Sequence, residues 1–94
     1  MGKEHIEGSY RGDVVLYALS TCAWCKKTKR LLNELRVDYC FIDVDRLEGE
    51  EQRKIVQQMK SFNPKGSYPT IVINGSKVIV SFDKDAIMEV LGDG

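Results

Sequence analysis

The chain lacks any apolar run near the roughly 18–20 residues of a membrane-spanning helix. It lacks an excess of either charge: 14 basic residues stand against 14 acidic ones. No global field therefore draws it to nucleic acid or to a membrane surface. Three cysteines are too few, and odd in number, for a disulfide framework. A four-ligand zinc site is hard to assemble, because beyond one cysteine pair only Cys40 and the distant His5 remain. There are no internal repeats and no low-complexity tracts. Met1-Gly2-Lys3-Glu4-His5 has no apolar stretch of signal-peptide length. The expectation is a cytoplasmic protein. In that compartment thiols stay reduced, and a close cysteine pair is more often catalytic or metal-binding than a structural staple.

Ninety-four residues, 43% hydrophobic and 30% charged, make one small globular domain. A domain of this size buries only roughly 60–65% of its unfolded surface, so the core is thin. Residues 1–12 hold three glycines and few apolar residues, and are expected to form a flexible polar extension ahead of a domain at 13–94. Arg11-Gly12-Asp13 spells an adhesion tripeptide, read as coincidence in a chain expected inside the cell.

Val14-Val15-Leu16-Tyr17-Ala18 reads as a buried strand. A helix follows the dithiol, with Cys25, Thr28, Leu32 and Leu35 on one face. A second strand is expected over 39–44 and a second helix over 48–62. That helix has acidic residues in its first turn and Lys60 in its last, which suits the helix dipole. Pro69 opens a third strand, and Asn74-Gly75 signals a hairpin into a fourth at 77–80. Asp83 is the expected N-cap of a last helix, ended by Gly92. The order is β-α-β-α-β-β-α. Right-handed crossovers would make the first three strands parallel, in a four-stranded mixed sheet covered by three helices.

Cys22-Ala23-Trp24-Cys25 carries the chemistry. The pair sits where a strand hands over to a helix. Backbone N–H groups there are unpaired and carry the positive end of the dipole. That setting favours a thiolate, the reactive form of cysteine, and Lys26 and Lys27 add positive charge. Cys22 is the exposed nucleophile in this reading, with Cys25 one turn deeper on the same face. A zinc site or inert buried thiols are the bland alternatives. Trp24 reads as an exposed platform for a partner, or as packing on a neighbouring loop. Lys26, Lys27, Lys29 and Arg30 read as a solvated face, or as a docking patch for an acidic partner. Cys40 reads as a small buried residue, with a regulatory thiol as the alternative. His5 reads as an unremarkable tail residue. Pro69 alone reads as an ordinary trans-proline at a strand start.

Leu16-Tyr17-Ala18-Leu19-Ser20-Thr21-Cys22-Ala23-Trp24-Cys25-Lys26-Lys27 resembles the active-site segment of glutaredoxins. Tyr68-Pro69-Thr70-Ile71-Val72-Ile73-Asn74-Gly75 resembles the strand that opens with a cis-proline in that family. The resemblance spans about 14–91 and implies a thioredoxin-like α/β fold and dithiol–disulfide exchange by Cys22 and Cys25. It implies a cis Pro69 facing the dithiol, and a substrate-binding surface at Thr21, Ala23, Trp24, Tyr68, Pro69, Ser81, Phe82 and Asp83. Many glutathione-using members carry a lysine where Leu19 stands, and a glycine pair in place of part of Ser81-Phe82-Asp83-Lys84-Asp85. That last stretch is closer to the glutaredoxin-like redoxins that serve ribonucleotide reductase. Those proteins take electrons from a reductase protein, so glutathione is doubtful as a cofactor here.

The expected function is a monomeric dithiol oxidoreductase. Its expected partners are protein disulfides and a reductase protein, with no nucleic acid, membrane or metal. A glutathione-dependent glutaredoxin is the alternative within the class. A copper carrier or iron–sulfur scaffold is the alternative outside it. A copper carrier usually has Met two residues before the first cysteine, where Ser20 stands. An iron–sulfur glutaredoxin would need glutathione as a further ligand.

Overall fold

The computed structural model describes residues 3–92. The elements in order are β1 (Lys3–Ile6), β2 (Val14–Ala18), α1 (Ala23–Glu34), β3 (Tyr39–Asp43), a 3-10 turn (Val44–Arg46), α2 (Gly49–Phe62), β4 (Thr70–Ile73), β5 (Lys77–Val80) and α3 (Lys84–Leu91). The strands form one five-stranded sheet in the order β1-β3-β2-β4-β5. The expected thioredoxin-like α/β class, with three helices on a mixed sheet, is what the structure has. Two details differ.

The first is the direction of β4. β2 and β3 are parallel, with Leu16 opposite Phe41, but β4 runs antiparallel to β2, with Tyr17 opposite Thr70. Three parallel strands were expected. The registers show why that fails: Ala18 pairs with Asp43, so β3 ends at the end of the sheet where β4 begins. The 3-10 turn and α2 leave and return at that same end. The crossover rule applies only to a connection that returns to the opposite end.

The second is strand β1, in the stretch expected to be a flexible extension. It pairs antiparallel with β3, His5 opposite Cys40. Beyond it, Ser9 N–H donates to Arg36 O at 2.7 Å and Asp38 N–H to Ser9 O at 2.9 Å. β1 is a charged edge strand with only Ile6 half-buried. A ladder of backbone bonds needs no apolar alternation, and edge strands commonly carry charge. Composition therefore could not reveal it. Met1 and Gly2 of the expected extension lie outside the described residues.

Strand alternation sorts the core into two layers. Leu16, Ala18, Ile71, Ile73 and Ile79 face α1 and α3, packing with Leu32, Ile87 and Leu91. Tyr17, Ile42 and Val72 face the other way, onto Met59 and the half-buried Ile55, Val56 and Phe62 of α2. Burying one leucine such as Leu32 contributes about 1.5–3 kcal/mol. At the hairpin, Asn74 and Gly75 have φ of 55° and 68°, the positive values a type I′ turn requires. Ser76 N–H donates to Ile73 O across it at 3.2 Å.

Candidate active site

Three segments meet at the end of the sheet where β2 stops. They are the turn into α1, the loop ahead of β4, and the link from β5 to α3. Ala18, the last residue of β2, is fully buried, and the chain then turns through Leu19, Ser20 and Thr21. Cys22 N–H donates to Leu19 O at 3.2 Å, closing that turn. Cys22 is the N-cap of α1, with extended backbone (φ −83°, ψ 120°). Its sulfur accepts the Cys25 N–H at 3.2 Å, in the place a serine or aspartate oxygen usually takes. Cys22 is half-buried, Cys25 is fully buried, and all three cysteines are free thiols.

Position in the helix splits the pair into unlike groups. Burial pushes the Cys25 thiol up to about 12, helped by its hydrogen bond with the Cys22 sulfur and by the charge there, against a lowering contact with the Leu19 backbone. Cys25 therefore holds its proton at neutral pH. Once the Cys22 sulfur is tied up in a mixed disulfide, the hydrogen bond and the repulsive charge are lost. Burial, the largest cause, remains, so the Cys25 value falls only by the share that Cys22 contributed.

The expected substrate surface is partly gathered here. Trp24, Tyr68, Pro69, Ser81 and Phe82 line one groove of about 210 Å3. Trp24 is 55% exposed and stacks on Phe82, ring centres 5.8 Å apart and planes 28° from parallel. Such a pair contributes about 0.5–1.5 kcal/mol beyond its buried area. Lys27 Nζ lies 4.6 Å from the Trp24 ring centre. The Tyr68–Pro69 peptide bond is cis, as the resemblance implies and as residue preference alone does not. Burial raises the Tyr68 hydroxyl, and the nearby Cys25 and Asp45 charges add to the shift. Ser81 has a φ of 67° and donates its N–H to Pro69 O at 2.8 Å. Thr21 and Ala23 are exposed on either side of Cys22 and do not line the groove. Asp83 also stands outside it; its side chain caps α3 by accepting Ala86 N–H at 3.1 Å.

The basic run of α1 is not one uniform face. Lys29 Nζ reaches Asp43 at 2.9 Å and lies 4.1 Å from the Phe41 ring centre, tying α1 to β3. Lys26, Lys27 and Arg30 remain exposed. Cys40 is half-buried, not buried. His5 is no free tail residue: its Nε2 lies 2.7 Å from Asp38 Oδ1. Among the described residues no three His, Cys, Asp or Glu side chains are grouped to hold a metal ion.

Two supports went unseen in the sequence. Asp45, in the 3-10 turn, accepts Ser20 N–H at 2.8 Å and Ser20 Oγ–H at 2.5 Å, one on each carboxylate oxygen. Those bonds hold the Asp45 carboxyl below the usual range. Asp45 so clasps the turn that leads into Cys22. On the other side, the buried Asn63 donates to Thr70 Oγ1 at 2.9 Å, and Thr70 Oγ1–H donates to Ser67 O at 2.7 Å. That network braces the loop carrying Tyr68 and Pro69. Asp45 lies 25 positions from Ser20, a separation over which local pattern carries no signal.

The glutaredoxin family model matches residues 14–78. The chain is 35% identical over 74 residues to an uncharacterised glutaredoxin-like 8.6 kDa protein in the rubredoxin operon of Clostridium pasteurianum, a match covering 79% of this chain and 91% of that protein. Among solved structures, it superposes on the glutaredoxin of Methanosarcina mazei Go1 with a TM-score of 0.90 and 49% identity, covering 98% of this chain and 89% of that one. Methanoredoxin of Methanosarcina acetivorans gives 0.88 and 49%, with 90% of each chain covered. By this family match over most of its length and by these relatives, the chain belongs to the glutaredoxin family of thiol–disulfide oxidoreductases.

Proposed function

We propose that this oxidoreductase carries electrons from a reductase protein to the disulfides of other proteins, as a cytoplasmic monomer. In the reducing direction, the Cys22 thiolate attacks one sulfur of the substrate disulfide. A mixed disulfide forms and the other substrate sulfur leaves as a thiolate. Cys25 then gives up its proton and attacks Cys22 Sγ. The substrate leaves with both sulfurs reduced, having gained the two electrons that Cys22 and Cys25 lose as they form their disulfide. The reductase returns two electrons to reset the pair. Ribonucleotide reductase, whose redoxins the 81–85 segment resembles, is the candidate acceptor.

One observation carries the choice of a protein over glutathione as reductant. The family's glutathione users keep a glycine pair where Ser81 and Phe82 stand. Here the Ser81 N–H is already spent on Pro69 O, and the Phe82 ring is stacked on Trp24. Leu19 supplies no charge for the glycine carboxylate of glutathione. A missing charge-assisted contact costs on the order of 1.5–3 kcal/mol, or about 10- to 150-fold in affinity. A protein docking over a wider surface would not feel that loss.

The test is to oxidise the protein and offer it glutathione, a thioredoxin-type flavin reductase and a ferredoxin-dependent reductase in separate reactions, counting free thiols over time. Fast reduction by one of the reductases and slow reduction by glutathione is expected. Fast, saturable turnover with glutathione alone would replace this reading with that of a glutathione-dependent glutaredoxin.

A further inference from the structure

A second groove lies beside the first, between α1 and the start of α3. Lys27, Arg30 and Lys84 line it with Leu31, Phe82 and the single carboxylate of Glu34. Its charge is three cations against one acid, in a chain whose total charge is zero. Among the described residues none of those three cations makes an ion pair. Lys29 and Arg53, by contrast, are neutralised by Asp43 and Glu50. Leu31 is buried and Phe82 half-buried, so the groove has apolar walls beneath its charge. At about 250 Å3 it is smaller than the roughly 300–1,000 Å3 of small-molecule pockets, and it suits a few side chains of a polypeptide. Phe82 belongs to both grooves. An extended chain can therefore lie over the Trp24–Phe82 stack with one part in each.

We propose that this groove docks an acidic stretch of the substrate protein, next to the disulfide being reduced. Carboxylates would face Lys27, Arg30 and Lys84, and an apolar side chain would rest on Leu31 and Phe82. The proposal deepens the reading that the substrate is a protein, and rests on it. Cations left unpaired beside a reactive centre raise the encounter rate with an acidic partner and disfavour basic ones.

Trp24 is the only tryptophan, and it flanks the groove, so its fluorescence reports binding. The probes are two peptides that differ only in having glutamates or glutamines on both sides of a central serine, which stands in for the reacting cysteine. Both are titrated into the reduced protein at low and high salt. The acidic peptide should bind about tenfold tighter or more at low salt, and the preference should shrink as salt screens the charges. Arg30→Glu with Lys84→Glu should remove the preference. Arg30→Gln with Lys84→Gln should weaken it less, and a folded far-UV spectrum is checked for both. Equal affinities in the wild type, or a preference that survives charge reversal, would overturn the proposal. So would loss of turnover with a reductase while the acidic peptide's preference is absent, which assigns the groove to the reductase. Single-turnover reduction of a small neutral disulfide is measured alongside. Its failure would sink the dithiol reading itself, whereas peptide binding requires no redox step.

Discussion

Cys22 and Cys40 are both half-buried free thiols, one at the N-terminus of α1 and one near the edge of the sheet. Exposure does not distinguish them; backbone geometry does. The Cys22 sulfur stands at a helix end, takes an N–H from the first turn, and has a second thiol one turn below. Cys40 sits in mid-strand, flanked across the ladder by His5 on one side and Val15 on the other. The strand's own N–H groups are engaged in that ladder, so none converges on its sulfur, and it has no neighbouring cysteine in sequence. Exchange chemistry therefore comes from unpaired backbone donors and a resolving partner, and not from the presence of an accessible sulfur.

The largest effect that could break this comparison is loss of activity. Cys22→Ser should reduce disulfide turnover to background. Cys25→Ser should leave the first attack intact and accumulate a mixed disulfide visible by mass spectrometry. Cys40→Ser should leave turnover with the same substrate within about twofold. If Cys40→Ser abolished turnover while Cys22→Ser spared it, the contrast between helix end and strand would be wrong.

The second effect concerns pH. The Cys25 thiol is held high, at about 12, by burial first and by the Cys22 sulfur second. A raised thiol value means less thiolate at neutral pH, so resolution should speed up as pH rises. Below the prevailing Cys25 value the gain should be about tenfold per pH unit, since only the thiolate attacks. Forming the mixed disulfide removes the Cys22 contributions, so the plateau should arrive below pH 12. Stopped-flow decay of a preformed mixed disulfide would measure it. A flat rate between pH 6 and about 9 would show that deprotonation of Cys25 does not limit the step.

A smaller effect is expected from the clasp. Asp45→Ala removes both acceptors of Ser20 and should slow exchange by about 3- to 10-fold through a looser approach to Cys22. Ser20→Ala keeps the backbone bond and should cost less. The Leu19 backbone contact lowers the Cys25 value, so loosening that turn should also move the pH profile of resolution upward. A slowed rate with an unmoved profile would mean that Asp45 acts on stability alone.

The active end of the molecule was more legible than its edge, for a physical reason. Cys22, Cys25 and the Asp83 cap belong to local patterns: a strand, a turn and a helix start, all within a few residues. Asn74-Gly75 is equally local, because positive φ at two successive positions selects those residue types. The cis geometry at Pro69 was read only through family resemblance. β1, the reversal of β4, and the Ser20–Asp45 and His5–Asp38 contacts depend on distant segments meeting. Lys3-Glu4-His5-Ile6 has the composition of a tail because an edge strand there leaves its first three residues exposed. Thr21 and Ala23 enter the expected surface through the family resemblance; they stand exposed on either side of Cys22, outside the groove that Trp24 lines.

The smallest effect lies at the edge itself, and it sharpens the comparison. The His5 ring lies 2.7 Å from Asp38, and that hydrogen bond is the main reason the Asp38 carboxyl is held below the usual range. A depressed carboxylate stabilises the fold above its unfolded value and loses that contribution as pH falls through its folded one. His5→Ala should therefore lower the melting temperature slightly near neutral pH, and the difference should shrink as pH falls below the ordinary carboxylate range. The His5 side chain is 52% exposed and that of Asp38 27%, so solvent screening keeps the global effect small. The local effect should be clearer. His5 is the cross-strand neighbour of Cys40, and β1 is only four residues long. Loosening it uncovers one side of Cys40, so alkylation of Cys40 should quicken by about two- to fivefold through local opening. Turnover at Cys22 should not change, because β3 stands between β1 and β2 and Cys22 lies beyond the end of β2. If His5→Ala altered exchange at Cys22 as much as alkylation of Cys40, the two thiol regions would be coupled and could not be treated as separate environments.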